Sequence, residues 1–573
     1  MRIKGETRDY KYLLKLVSWA KRRYTSRQAL LLCSAIAVFS FGYCANSWKQ
    51  THHLYIHEPD FRVKLKQSLK GLYFSLVSPI RESFVIKDKA KTNLIISMKN
   101  LITLEDARKK IVADQAIMVS NVVPKSFRSY VGAKLERDGE IIPIKVRLKG
   151  KGLDHYEADK WSMQIKVDDG YSFMGMKQFT LSNPDRRAVF LYWFLNEALA
   201  REDVMHPRLP LLEISINGVN KGLYSVEEVP LTQLMSNNKR KEGVIFTFSD
   251  FDFSENTIGG SGKAVNNAFH SADFDLETPK DFLSDKAQLA LVERAVNVMR
   301  LFQEGKLKTS QVFKVEKLAK WLALCDIMNA WHGLSWANIK LYYDPMTSKF
   351  EPINWDAYNL NSAIRGAEAR SFRLDDVYNN DPGTYIFKQL FSDLDFMKVY
   401  MQELNRITQK DYLDQFIKEN RKQIDEYISM ARVDFPYHDF DDELSFVYEN
   451  QKRIRDKYLN VKDALALVSS EMEPHLVKLN LKNSKLVPLE IESLTVNGKL
   501  KFFPKKDDAI LAGNPRDNDL FSQTVSFNIT DKTELKALRG EKPNMLLRYK
   551  LLGSDQIVEQ NLSYWYQKAS KKL

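Results

Sequence analysis

Cysteine is scarce in this sequence, with 3 residues in 573, at Cys33, Cys44 and Cys325. The first two lie within an uncharged hydrophobic stretch near the N-terminus, so Cys325 is alone in the rest of the chain. A lone cysteine forms neither an intrachain disulfide nor a cysteine-based metal site. The bulk of the chain must therefore be stabilised by a hydrophobic core, which a chain of this length can provide.

The sequence also lacks the short motifs of the common nucleotide-binding proteins. It contains no G-x-G-x-x-G, no H-R-D and no D-F-G, which are the signatures of ordinary protein kinases. The run GGSGKA at Gly259–Ala264 is not a P-loop, because no serine or threonine follows its lysine and its first glycine is misplaced. These absences exclude the ordinary kinase and P-loop classes.

Positive charge is concentrated at the N-terminus and is not spread over the chain. The sequence has 86 lysines and arginines against 73 aspartates and glutamates, a net charge of +13. Residues 1–28 hold nine basic and two acidic residues, so this cytoplasmic basic tail supplies +7 of the +13. Because the remaining residues are close to balanced, the composition argues against a nucleic-acid partner.

The basic tail leads into an uncharged segment, residues 29–45, followed by Trp48. Its length is near the lower limit for a transmembrane helix, and basic residues precede it but scarcely follow it. We predict a single-pass anchor at 29–47 in the cytoplasmic membrane, with the N-terminus cytoplasmic and the main domain extracytoplasmic. A cleaved signal peptide is the alternative, but the tail is long for one and no small-x-small site follows.

Beyond the anchor, the residue pattern predicts an α+β protein. The alternation of apolar and polar residues over 140–149 and 161–167 is typical of strands, Asn217-Gly218 of a hairpin, and 187–201 of an apolar helix. The predicted segments are a membrane-proximal part (48–114), a strand-rich part (115–245), a mainly helical part (246–472) and a C-terminal β-domain (473–573).

A strand lysine and a helix carboxylate form one candidate site. The alternation places Lys166 on the polar face of its strand, where a lysine can hold a phosphate, although a solvated strand lysine is the commoner case. Glu197 follows Trp193 and Phe194 on the next helix, so its carboxylate lies beside an apolar stripe and needs a partner. Either Lys166 or Arg201, one turn on, would serve as that partner.

A hairpin at 338–356 carries a second candidate site. Asn338 begins its first strand and Asp356 ends its second, and the two outer ends of an antiparallel hairpin lie together. An amide oxygen beside a carboxylate suits Mg²⁺, with hydrogen bonding at the strand ends as the structural alternative. His332 lies six residues before Asn338, where it is either a structural histidine or a base.

Four stretches of the chain resemble the spore coat protein H (CotH) kinase-like family. They are VRLKGKG, KWSMQIKV, ISINGVNKGLYSVEEV and WHGLSWANIKLYYDPMTSKFEPINWD, within about residues 140–360. The resemblance implies an atypical, divergent protein-kinase-like domain with two lobes. The segment patterns above place this domain after one transmembrane helix and before a small β-sandwich-like domain. The resemblance further implies the transfer of phosphate from ATP, with Mg²⁺, to serine or threonine of a surface-layer protein.

The resemblance also implies roles for single residues. Lys166 would hold the nucleotide phosphates, Glu197 would orient Lys166, and Glu228 would lie at the hinge between the lobes. Apart from the resemblance, Gly150 and Gly152 in LKGKG are candidates for a flexible turn that faces the phosphates. Asn338 and Asp356 would bind Mg²⁺.

One departure from the family pattern concerns the catalytic base. Family members usually place an aspartate five residues before the metal-binding asparagine, whereas this chain has His332 six residues before Asn338. Histidine side chains ordinarily titrate near neutral pH, so His332 suits a general base, but it equally fits an altered reaction or a pseudokinase.

Three functional hypotheses follow from the sequence. The first is a membrane-anchored extracytoplasmic phosphotransferase, an atypical kinase that acts on a cell-surface protein or polysaccharide. Because ATP is scarce outside the cytoplasm, its donor would be ATP or another phosphorylated compound. The second is a catalytically inactive module of the same fold for cell-surface or matrix assembly. The third is an unrelated surface protein with accidental matches.

Overall fold

Seven short strands form a closed barrel in the N-terminal part of the described chain. The structure is a computed structural model that describes residues 92–120, 122–150, 152–157, 160–230, 232–249, 268–277, 285–334, 338–358, 374, 385–435, 440–473, 475–514, 521–529 and 544–562. The barrel strands are β1 Thr92–Ile95, β2 Val131–Arg137, β3 Glu140–Leu148, β4 Met163–Val167, β5 Gln178–Ser182, β6 Leu211–Ile216 and β7 Val219–Glu228. Their order is β1-β2-β3-β4-β5-β7-β6, and the parallel pairing of β6 with β1 closes the barrel.

Alternate side chains of these strands fill the barrel, because successive residues of a strand point to opposite faces. In β3, Ile142, Ile144 and Val146 are buried in the interior, while Lys145 between them is exposed on the outer face. Strands β5 and β7 differ, since most of their residues are buried on both faces. The outer face of the barrel is therefore covered at β5 and β7 and open at β3.

The barrel begins earlier in the chain than the sequence pattern indicated. Between β1 and β2 lie helices α1 (Met98–Ala113) and α2 (Gln115–Ser120). Leu104 and Ile111 of α1 are buried in the same hydrophobic cluster as the barrel interior. The last part of the segment assigned to the membrane-proximal region, 48–114, thus belongs to the barrel. With only four residues, β1 is too short to give a strand signal.

A four-stranded sheet and most of the remaining helices follow the barrel in the chain, while one helix lies between β5 and β6. The sheet has the order β11-β10-β8-β9, built from β8 Val244–Phe248, β9 Phe274–Leu276, β10 Lys340–Asp344 and β11 Lys349–Ile353. The helices are α3 Leu191–Arg201, α4 Thr232–Asn237, α5 Ala268–Ser271, α6 Lys286–Gln303, α7 Thr309–Val312, α8 Val315–Met328, α9 Tyr385–Phe391, α10 Leu394–Ile407, α11 Lys410–Glu419, α12 Arg421–Asp434 and α13 Phe440–Arg453. The mostly buried α8 packs against α3, α10 and α13.

Two antiparallel sheets form the C-terminal part. One contains β12 Leu465–Glu473, β13 Leu476–Asn483 and β17 Gln523–Asn528; the other contains β14 Leu489–Val496, β15 Leu500–Phe502, β16 Ile510–Leu511, β18 Met545–Leu551 and β19 Ile557–Asn561. Strands β13 and β18 alternate between buried and partly exposed residues, so each sheet has one face in the core. Asn497 and Gly498 connect β14 to β15 with positive φ angles, as a tight hairpin requires.

The membrane anchor in the predicted fold class and localisation is not supported. The predicted span, residues 29–47, lies outside the described residues. In the part of the chain that the structure describes, no helix is long and apolar enough to cross a membrane. The longest, α6, carries charged and exposed residues along its length. The fold class is therefore corrected to α+β without a membrane-spanning helix among these residues, and the single-pass localisation is withdrawn with it.

Buried Asp434 connects the end of α12 to the barrel. Its Oδ2 accepts hydrogen bonds from Lys160 Nζ at 2.7 Å and from the backbone N–H of Leu223 at 2.5 Å. Gly222, directly before Leu223, has a φ of +78°, and a Cβ built there would lie 2.1 Å from Asp434 Oδ2. Close approach of β7 to this carboxylate therefore requires glycine.

We expect Gly222→Ala to lower the free energy of unfolding by about 2–3 kcal/mol, because the new methyl group combines backbone strain with a clash against a buried carboxylate. Gly218→Ala is the matched control, since Gly218 has a φ of +79° but nothing within 4 Å of its Cβ position. Its loss should be about 1 kcal/mol. Urea unfolding measures both variants, and equal losses would contradict the role given to Asp434.

Candidate functional site

A row of polar side chains crosses the outer face of the barrel. Arg147 on β3 lies opposite Gln164 on β4, and Gln164 lies opposite Thr180 on β5. Thr180 in turn lies opposite Glu227 on β7. Gln164, Thr180 and Glu227 are buried although they point away from the barrel interior. Because buried polar groups need partners, this row marks a candidate site between the barrel and the helices.

Lys149 reaches this row from just beyond the end of β3. Its Nζ lies 3.8 Å from Glu227 Oε2 and 3.5 Å from Thr180 Oγ1. The ion pair is longer than a direct hydrogen bond, so it offsets only part of the cost of burying two charges. Burial accordingly lowers the pKa of Lys149 and raises the pKa of Glu227. A largely buried cation whose ion pair is this long favours the binding of an anion.

Tyr192, near the start of α3, connects Glu227 to the loop after β11. Its hydroxyl donates a hydrogen bond to Glu227 Oε1 and accepts one from the backbone N–H of Asp356 at 2.9 Å. Burial raises the pKa of Tyr192 well above its ordinary value, so the hydroxyl keeps the proton that it donates. The barrel carboxylate and the Asp356 loop therefore belong to one hydrogen-bonded network.

The backbone at Asp356 is left-handed, with a φ of +47°. This conformation costs free energy in a residue with a side chain and persists only where the surroundings fix it. The fully buried Asn354, two residues earlier, fixes the backbone here, because its N–H donates a hydrogen bond to Met205 O at 2.9 Å. The Asn354 side chain donates to Asn196 Oδ1 at 2.7 Å. The end of the hairpin is thus anchored to its neighbours on both sides.

The carboxylate of Asp356 lies between a guanidinium group and an imidazole. Arg187 Nε is 2.8 Å from Oδ1, and His332 Nε2 is 3.4 Å from Oδ2. Burial alone would raise the pKa of Asp356, but Arg187, His332 and Lys149 together hold that pKa far below its usual range. The carboxylate is therefore ionised at neutral pH.

His155, whose side chain is 10% exposed, contacts the guanidinium group of Arg187. His155 Nε2 lies 3.3 Å from Arg187 Nη2, and its Nδ1 lies 2.8 Å from Ser162 Oγ. Because arginine only donates hydrogen bonds, Nε2 accepts here and carries no proton. Burial, followed by the charge of Arg187, lowers the pKa of His155 to about 3. The ring is therefore neutral at physiological pH and acts as a support for Arg187.

Gly150, predicted as a phosphate-facing turn, packs against that ring. Its φ is +127°, and a Cβ built on it would lie 2.2 Å from the Cδ2 atom of His155. Its carbonyl oxygen accepts a hydrogen bond from the Tyr156 hydroxyl at 2.7 Å. Packing against His155 thus explains the glycine, while its contact with a nucleotide stays a prediction.

Lys166 and Glu197 do not form the ion pair considered from the sequence. Lys166 lies on the outer face of β4, is exposed, and sits opposite Lys145. Glu197 on α3 is partly buried, which raises its pKa. Arg201, the other partner considered, binds Glu419 at 3.2 Å instead. The roles of Lys166 and Glu197 toward a nucleotide stay predictions.

Glu228, predicted at a hinge, points to the opposite side of β7 from Glu227. Its carboxylate binds Arg208 through Nε at 3.0 Å and Nη2 at 2.8 Å, and Asn237 Nδ2 donates to it at 2.8 Å. These hydrogen bonds and the ion pair compensate for the burial of the carboxylate. Glu228 links β7 to the segment before β6 and to α4, and its role at a hinge stays a prediction.

The structure brings His332, Asn338 and Asp356 together. His332 begins a short 3₁₀ helix, His332–Leu334, and contacts Asp356 directly. Asn338 Nδ2 donates a hydrogen bond to the backbone carbonyl of His332 at 3.0 Å. The hairpin therefore places the predicted base and the two predicted metal ligands in one neighbourhood.

Asp356 offers the chemistry that a magnesium ion needs, although it is not a complete cage. Its Oδ1 is buried and makes no hydrogen bond within the described part of the chain, since the close contact with Arg187 lacks hydrogen-bond geometry. Among the described residues, no group of three or more His, Cys, Asp or Glu could hold a metal ion. Mg²⁺ is commonly held by one or two carboxylates together with substrate phosphates, and Asp356 with the Asn338 amide oxygen fits that pattern.

Sequence reasoning missed Lys149, Glu227, Arg187, Tyr192 and His155. Two of them stand in the quoted stretches, Lys149 in VRLKGKG and Glu227 in SVEEV. Strand alternation carries the signal that separates Glu227 from Glu228, but only once the paired strand is known. For Tyr192 and Arg187, nothing in the local sequence distinguishes them from ordinary residues of an apolar segment.

A family model described as "CotH kinase protein" matches residues 146–462, which is more than half of the 573 residues. The matched region contains the whole network from Lys149 to Asp356. No curated protein matches the chain.

We expect the free energy of unfolding to depend on pH because of His155. Its pKa is about 3 in the folded chain and about 6.5 in the unfolded chain, so the unfolded state binds the extra proton between these values. Stability should therefore fall by about 2 kcal/mol from pH 7 to pH 5 through this group alone. His155→Gln, which retains an acceptor for Arg187, should flatten the urea-unfolding profile by that amount. Parallel profiles of variant and wild type would contradict the neutral histidine.

Proposed function

The chain belongs to the CotH kinase family, and we propose that the network around Lys149, Glu227 and Asp356 is the nucleotide site of a kinase-like phosphotransferase. Kinase-like families in general use ATP and a divalent metal ion. For this chain we propose ATP as the donor and Mg²⁺ as the metal. The acceptor, as the family resemblance suggested, is a hydroxyl group of a surface protein or polysaccharide.

The observation that carries this proposal is the connection between three charged groups at one place. Lys149 lies beside the buried Glu227 of the barrel. The Tyr192 hydroxyl joins Glu227 to the backbone N–H of Asp356, the ionised aspartate at the end of the hairpin. Protein kinases need a strand lysine, its glutamate partner and a metal-binding aspartate in place together. The same three chemical roles are available here within a single hydrogen-bonded network.

Lys149 is the residue that we propose for phosphate binding. It is a largely buried cation with an incomplete ion pair, so a phosphate would supply the charge that Glu227 compensates only in part. Glu227 would hold the lysine in position, as the helix glutamate does in kinases. Arg187, 2.8 Å from Asp356, is a second cation within the same site.

Asp356 and Asn338 are the residues that we propose to hold Mg²⁺, which when bound would neutralise charge on the phosphate oxygens. His332 would receive the proton of the acceptor hydroxyl. The imidazolium formed in that step would be stabilised by Asp356, whose Oδ2 lies 3.4 Å from the ring nitrogen. His332 thereby takes the role that family members usually give to an aspartate.

One observation favours a second candidate function, the catalytically inactive module. The carboxylate proposed for metal binding is already matched by Arg187 and His332, which would compete with a metal ion. If that competition always succeeds, the network serves only to join barrel and helices, and the chain acts by binding surface polymers. Nucleotide binding that requires Mg²⁺ distinguishes the two functions.

We expect the melting temperature of the wild-type protein to rise only when ATP and Mg²⁺ are both present. Asp356→Asn should abolish that rise, because the substitution removes the negative charge and one of the two oxygens with which this side chain would hold Mg²⁺. Asp168→Asn, at the end of β4 and away from the network, should retain it. Absence of a rise in the wild type under every combination of ATP and Mg²⁺ would overturn the kinase proposal and favour the inactive module.

A further inference from the structure

A group of exposed lysines lies on the open outer face of the barrel, beside the candidate site. Lys145 on β3 and Lys166 on β4 are directly opposite each other. On β2, Gly132 is directly opposite Lys145, so the two lie on the same face of the sheet. Lys134 is two residues after Gly132 and therefore lies on that face as well. All three side chains are exposed. We call these three residues the basic face.

The basic face is electrostatically unfavourable by itself. Like charges directly opposite each other on neighbouring strands destabilise a sheet. Neither Lys145 nor Lys166 forms an ion pair with any residue that the structure describes, although the protein has many such pairs elsewhere. The face is also open, since a Cβ built at Gly132 would meet nothing within 4 Å. An anionic partner would remove the repulsion without any rearrangement of the barrel.

The basic face is continuous with the candidate site along β3. Lys145 and Arg147 are alternate residues of β3 and lie on its outer side. Lys149, just beyond the strand, contacts Thr180 and Glu227 of the same outer row. The guanidinium of Arg147 binds Gln164 and lies 5.1 Å from the centre of the Tyr130 ring, with no carboxylate among these contacts. Lys149 is four residues after Lys145, which corresponds to a distance of about 13 Å along the strand at roughly 3.3 Å per residue.

We propose that the basic face docks an extended, acidic segment of a polypeptide acceptor. Such a segment, lying along β3, has the same repeat as the strand beneath it. A glutamate or aspartate four residues from the acceptor hydroxyl would therefore meet Lys145 and Lys166 when the hydroxyl is beside Lys149. This proposal rests on the proposed function, because the hydroxyl must reach the phosphate that Lys149 is proposed to bind. It narrows the acceptor to an acidic polypeptide.

The test uses the full-length protein and a fluorescein-labelled peptide with one central serine and a glutamate four residues to either side. Two matched peptides carry lysine or glutamine in place of glutamate, and fluorescence anisotropy without nucleotide measures their dissociation constants. The glutamate peptide should bind about tenfold more tightly than the lysine peptide. The double variant Lys145→Glu, Lys166→Glu should reverse this order, since it reverses the charge of the face.

The matched control is the double variant Lys418→Glu, Lys422→Glu, which changes two exposed lysines on α11 and α12 and the net charge equally. It should keep the wild-type preference. Three results would each overturn the proposal: no preference for glutamate in the wild type, the same reversal in the control, or equally tight binding of an inorganic polyphosphate of the same charge. The melting rise with ATP and Mg²⁺ reports the nucleotide site separately, so peptide binding without that rise would reject the kinase function alone.

Discussion

The carboxylate of Asp356 is the constraint on which the rest of the site depends. It ends a hairpin in a strained backbone conformation and is ionised while largely surrounded by protein. A buried charge of this kind must be compensated, and Arg187 and His332 supply the compensation from two different parts of the chain. The positions of the loop before α3 and of the 3₁₀ helix after α8 follow from that requirement.

The register of the barrel strands is the second condition for the geometry of the site. Arg147, Gln164, Thr180 and Glu227 occupy one row because four strands are paired in a particular alignment. A shift of β7 by one residue would exchange Glu227 with Glu228 and break two networks at once, since each glutamate has its own set of partners. The barrel thus determines which glutamate faces Lys149 and Tyr192, and the helices determine where Asp356 meets them.

Local patterns in the sequence predicted the elements of the fold better than the contacts of the site. Alternation located β3 and β4, the Asn217-Gly218 turn located the hairpin of β6 and β7, and the predicted hairpin at 338–356 is that of β10 and β11, with Asn338 and Asp356 near its outer ends. Lys166 attracted attention because its strand alternates clearly, whereas Lys149 lies just past a strand end, where alternation carries no information. Closure of the barrel by the four-residue β1 and the contact of His155 with Arg187 depend on long-range packing that local patterns do not encode.

We propose that Lys149, and not the exposed Lys166, meets the phosphates of the nucleotide. Calorimetric titration of ATP with Mg²⁺ into Lys149→Met and Lys166→Met measures this directly, because each variant removes one ammonium group and keeps a side chain of similar length. Lys149→Met should weaken binding by about thirtyfold or more, as expected for the loss of a charge-assisted contact in a buried site, while Lys166→Met should bind like the wild type. Weakened binding in Lys166→Met with unchanged binding in Lys149→Met would contradict the claim.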